Sequence, residues 1–102
     1  MIELITKSGR RIACEGVMKG RQFDVLHIYT HAITPIEAYT IFGNPEESSI
    51  LVVEETINDE TTTRTYRGYT SIFSVSQATL YIQPGEIRIW LQKPYDPDEE
   101  VI

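Results

Sequence analysis

Two histidines, one thiol and several pairs of adjacent carboxylates are the groups in this chain with the chemistry to hold a metal or move a proton. His27 and His31 stand four apart, the spacing that places two ligands on one face of a helix. His27, however, falls in an alternating, strand-like stretch, and His31 precedes a helix cap. No HExxH run surrounds them, and Cys14 and Asp24 offer only a scattered third ligand, so no metal site is expected. A nucleophile needs a neighbouring base that a third group orients. Ser74 and Ser76 alternate with apolar residues and lack a G-x-S-x-G elbow. Cys14, between Ala13 and Glu15, reads as a small buried thiol.

The carboxylates come as Glu46-Glu47, Glu54-Glu55, Asp59-Glu60 and Glu99-Glu100. Neighbours on a strand point to opposite faces, so Glu54 and Glu55 cannot share a substrate. Phosphate-cradling glycine runs are missing as well. The expectation is a protein without catalytic residues and without a cofactor.

Arg64, Tyr66, Arg67, Tyr69, Arg88 and Trp90 form a different constellation, cations interleaved with aromatics on two late strands. Were those strands neighbours, the set would suit a protein interface. It would also suit stacking of single-stranded bases. A net charge of −6 and a pI near 4.8 oppose attraction to phosphates, and no RNP-type run occurs. A protein partner, self or other, is therefore favoured over nucleic acid.

The elements that must position these residues are mostly strands. One helix is announced by Thr34-Pro35-Ile36-Glu37, where Thr34 caps free N–H groups and Glu37 reaches back to complete a capping box. Gly43 is expected to end it in a left-handed conformation, with Asn44-Pro45 preventing continuation. Ser8-Gly9 reads as a hairpin turn between strands 2–6 and 11–16, and the run from Gly16 to Gly20 as a basic loop including Arg21. Strands follow over 22–29, 50–53 and 61–69, with a turn at Asn58-Asp59-Glu60 and Gly68 breaking the alternation. Ile72 to Val75 continues extended, and Leu80–Ile82 and Glu86–Lys93 flank a turn at Gln83-Pro84-Gly85. Ile87, Ile89 and Leu91 share one face of the last strand, while Arg88, Trp90 and Gln92 share the other.

The sequence thus predicts an α+β domain over residues 1–94, a mostly antiparallel sheet curled into a sandwich or partial barrel with a helix over 35–42. Residues 95–102 read as an acidic mobile tail. The expected core is Leu4, Ile12, Val25, Leu26, Ile28, Ile36, Leu51, Val53, Phe73, Val75, Ile87, Ile89 and Leu91. With 102 residues and 41% hydrophobic content, one modest core forms without metal or disulfide. The lone Cys14 suits a reducing compartment, and neither a signal peptide nor a membrane-spanning run is read. Charge is segregated: residues 31–63 hold Glu37, Glu46, Glu47, Glu54, Glu55, Asp59 and Glu60 and no Lys or Arg. Such segregation favours complementary contact between copies.

The helix ending Phe42-Gly43-Asn44-Pro45-Glu46, the Thr65-Tyr66-Arg67-Gly68-Tyr69-Thr70 strand and the closing Ile87-Arg88-Ile89-Trp90-Leu91-Gln92-Lys93-Pro94 strand carry a resemblance. In order and flavour, residues 34–94 resemble small proteins encoded among the tail and head genes of phages and prophages of Gram-positive bacteria. The resemblance implies a structural or assembly component, in the host cytoplasm or a virion, that works by self-association or by docking to another structural protein. Two other roles fit the residues: a single-stranded nucleic-acid-binding module, and an acidic antagonist of a host protein that uses Glu46–Glu60 as a decoy.

Overall fold

Gly9 adopts a φ of +96°, which an L side chain resists, and lets the Ser8-Gly9 turn fold β1 (Ile2–Ile5) onto β2 (Arg11–Cys14). The computed structural model describes residues 1–20, 24–77 and 85–94. The expectations for Arg21, Gln22 and Phe23, for the strand 80–82 and for the tail 95–102 lie outside those residues. After β2 come β3 (Gly16–Lys19), β4 (Val25–Thr30), α1 (Pro35–Phe42) and α2 (Pro45–Ser48). Then follow β5 (Ile50–Ile57), β6 (Glu60–Arg67), β7 (Ser71–Gln77) and β8 (Ile87–Gln92).

The strands form two four-stranded sheets ordered β2-β1-β5-β6 and β3-β4-β8-β7, with every pairing antiparallel. The architecture is an α+β sandwich, as the alternating patterns predict. Glu15 alone separates β2 from β3, so one run of chain turns the corner from the first sheet to the second. There the Glu15 N–H donates to the Tyr29 carbonyl at 2.8 Å. The segment expected as a loop from Gly16 is therefore a strand, because β4 supplies its hydrogen-bond partners.

Between the sheets, Leu4, Ile12, Leu51 and Val53 meet Leu26, Ile28, Ile87, Ile89 and Leu91, all essentially without exposure. The alternation of β8 holds: Ile87, Ile89 and Leu91 are buried and the intervening residues are not. Val75 is only half-buried against this cluster, and two expected core residues are exposed. Ile36 is 79% exposed and Phe73 59% exposed. In α1 the buried face is Ala38, Ile41 and Phe42, which leaves Ile36 on the opposite side of the short helix.

The capping box is present in full: Glu37 N–H donates to Thr34 Oγ1 at 3.2 Å, and Thr34 N–H to Glu37 Oε1 at 3.1 Å. Gly43 is not left-handed; its φ is −78°. A Cβ there would lie 2.5 Å from the Tyr39 carbonyl oxygen, so glycine serves close approach rather than handedness. The chain then turns helical again. Asn44 caps α2 by accepting from the Glu46 N–H at 3.0 Å, with Pro45 at the first helical position. Asn58 and Asp59, with φ of +51° and +67°, make the expected tight turn between β5 and β6.

Among the described residues, no helix is long and apolar enough to cross a membrane.

Replacing Leu26, with no exposed surface, by Ala should lower unfolding free energy by about 2–5 kcal/mol. Ile36→Ala on the exposed helix face should change it by less than about 0.5 kcal/mol in the same urea titration.

Candidate functional site

The six residues expected to form one surface occupy three different settings. Arg64, Tyr66 and Arg67 lie on β6, the outermost strand of the first sheet, whereas Arg88 and Trp90 lie on β8, inside the second. The two strands are not neighbours, so the arginines and rings do not interleave. Gly68, at a φ of +84°, turns the chain after β6 and sends Tyr69 inward, where it is 2% exposed. Tyr69 is a core residue, not an interface one. It meets Tyr66 edge-on at 6.0 Å, and burial raises its phenol pKa.

Arg64 ties the layers together. Its guanidinium donates to the Val17 carbonyl on the opposite sheet at 3.3 Å, lies 3.7 Å from Glu55 and sits 5.9 Å over the Tyr66 ring. Arg88 sits 5.5 Å over the Tyr29 ring and 3.7 Å from Glu86. Arg67 is exposed, opposite Ile50 in the ladder.

Trp90 keeps its place on the outer face of the second sheet, in company the sequence did not suggest. His27, opposite it on β4, tilts against the indole at 4.6 Å between centroids. Phe73 stacks on its other side at 5.9 Å and 11°. The register of β7 against β8 steps from Ile72–Leu91 to Ser74–Trp90, so Phe73 is an extra residue in the strand. This bulge turns Phe73 outward beside Trp90, which explains its exposure. Met18 on β3 pairs with His27 and is 54% exposed. Met18, His27, Trp90 and Phe73 thus cross all four strands as one apolar row.

Charge reinforces the distinction. The strands of the second sheet carry Lys19 and Arg88 and no acid. The two helices carry Glu37, Glu46 and Glu47 and no base, and the first sheet holds Glu3, Glu54, Glu55 and Glu60. Glu54 and Glu55 do point apart: Glu54 approaches Arg11, and Glu55 approaches Arg64.

A cleft of about 550 Å³ opens between the layers, lined in part by Glu15, Tyr29, Glu55, Arg64 and Glu86. Each carboxylate in it already has a partner: Glu15 with His31 Nδ1 at 2.7 Å, Glu55 with Arg64, and Glu86 with Arg88. Glu55 and Glu86 thus face arginines, and Glu15 a histidine. His27 and His31 do not converge, since one stacks on Trp90 and the other bonds Glu15. No group of three potential metal ligands gathers among the described residues. The Cys14 thiol is buried and donates to the Ile12 carbonyl at 3.4 Å. Burial, followed by the nearby Glu15 charge, pushes its pKa up to about 12.

No family model, no curated protein and no solved structure matches this chain. Phe73, His27 and Met18 escaped sequence reasoning. The available signal was that Met18, His27 and Trp90 each sit on the outward parity of their strands, but it needed the strand order to become a row.

A thiol in the unfolded chain ionises at about pH 8.5, whereas folded Cys14 holds its proton to about 12. Above the lower value the unfolded chain binds fewer protons, so stability falls as pH rises through this window. Urea midpoints measured at pH 7 and pH 10 should therefore drop more for the wild type than for Cys14→Ala.

Proposed function

We propose that this chain is a non-enzymatic docking and assembly module, working through protein contact at the outer face of the second sheet. The observation that carries this reading is the row Met18, His27, Trp90 and Phe73 on a face whose strands hold no acid. Aromatic rings in a contiguous, partly exposed patch are the groups that dominate binding energy when a partner excludes water from them. Arg88 borders the row on the same outward parity as Trp90 and is paired with Glu86, so the rings carry the contact. Among the described residues, the arginines Arg11, Arg64 and Arg88 meet carboxylates as ion pairs. The resemblance to phage and prophage tail- and head-region proteins agrees with a role in building a particle, in the bacterial cytoplasm or the virion itself.

A second reading rests on the same face: stacked rings beside Arg88 would also accept unpaired bases. The overall charge of −6 works against it, because phosphate contacts supply most of such affinity.

The test uses the single tryptophan of the chain and one surface change. Tagged protein recovered from its native host should retain a protein partner that Phe73→Ser binds at least about tenfold more weakly. Labelled single strands at low salt should leave Trp90 emission unchanged. Equal retention by the wild type and Phe73→Ser would sink the reading, and salt-sensitive quenching by oligonucleotides would replace it with the second.

A further inference from the structure

Among the described residues four strands have an open edge, and three of them are protected against pairing. β2 and β3 have four residues each and run into the corner at Glu15. β7 is broken by the bulge at Phe73, and α1 lies against it. Bulges, short length and covering elements are the usual devices that keep an edge from finding another strand. Among the described residues β6 has none of these three, and its charges are Glu60, Arg67 and the inward-reaching Arg64. It is eight residues long, all eight in unbroken register with β5, with no Pro, Gly or Lys. Four Thr and one Tyr give it the composition of a strand.

We propose that β6 is a pairing edge through which two copies of this chain join, antiparallel, into one continuous sheet. Charge supplies both the partner and the direction. Asp59 and Glu60 lie at one end of the strand, Arg64 and Arg67 at the other. Antiparallel pairing brings the acidic end of one copy against the basic end of its partner; parallel pairing would set like against like. A two-fold axis perpendicular to the sheet keeps both cores on the same side, so only positions of the same facing can oppose each other.

That condition leaves few registers. An axis through Arg64 puts two guanidinium groups face to face, and one through Thr62 pairs only Glu60 to Arg64. An axis through Thr63 pairs the whole run from Glu60 to Tyr66, sets Asp59 opposite the partner's Arg67, and leaves Glu60 diagonal to the partner's Arg64. The surface is separate from the aromatic row, which lies on the other sheet.

The experiment joins sedimentation velocity to a crosslink that reads register. The wild type should show a reversible dimer, weakened by salt and unchanged by Phe73→Ser. In a Cys14→Ala background, Thr63→Cys puts two thiols across the axis. Directly opposed positions bring Cβ atoms to about 4.5–5.5 Å, close enough to bridge with slight adjustment. Oxidised glutathione should convert this variant to a disulfide dimer on a non-reducing gel, whereas Thr65→Cys, facing the partner's Thr61, stays single. Thr63→Lys, at an exposed position that leaves the urea midpoint unaltered, should weaken the dimer at least about tenfold. A monomer at every attainable concentration would overturn the proposal. So would a dimer that Thr63→Lys leaves intact.

Discussion

The buried hydroxyl of Thr30 holds the two layers in their mutual position. It has no exposed surface, donates to the Ala13 carbonyl at 2.6 Å and accepts from the Ala32 N–H at 2.9 Å. Ala13 belongs to the first sheet and Thr30 to the second, so this bond crosses the corner that Glu15 turns. An unpaired hydroxyl in that position would cost about 1–3 kcal/mol. Only one relation between β2 and β4 satisfies it. Arg64, reaching from β6 to the Val17 carbonyl, makes the corresponding tie at the open side of the same corner. Apolar packing alone is tolerant of sliding; these two directional bonds are not.

With the layers fixed, the acidic charge is sorted by position. Helices and the first sheet take most of the glutamates, many beside Arg10, Arg11 or Arg64, while the outer face of the second sheet presents rings and Arg88, paired with Glu86. Glu47 illustrates the cost of that sorting being met locally: hydrogen bonds from Ser8 and Thr6 hold its carboxyl below the usual range. The first sheet is thus a solvated surface knitted to itself. The second carries the row Met18, His27, Trp90 and Phe73 on its outward parity, exposed most at Met18 and Phe73.

What the sequence made legible was whatever local chemistry decides. The capping box at Thr34–Glu37, the turns at Gly9 and Asn58-Asp59, and the inward face of β8 depend on residues within a few positions of each other. What stayed hidden depends on partners distant along the chain. Gly16–Lys19 is a strand because β4 lies beside it, not because its glycine favours extension. Tyr69 looked like an exposed ring until Gly68 turned it inward. The candidate surface failed for a related reason: β6 and β8 carry similar cations and rings but belong to different sheets. Of the six, Arg88 and Trp90 were placed on the right face, since their parity follows from their own strand.

Phe73 is a supernumerary residue in β7. Ile72 pairs with Leu91 and Ser74 with Trp90, so excising the phenylalanine would leave an ordinary ladder with every other side chain facing as before. Nothing in the sandwich needs that ring, and the sheet gives up regular spacing to carry it. A single codon therefore separates the bulged strand that carries the exposed ring from a regular one.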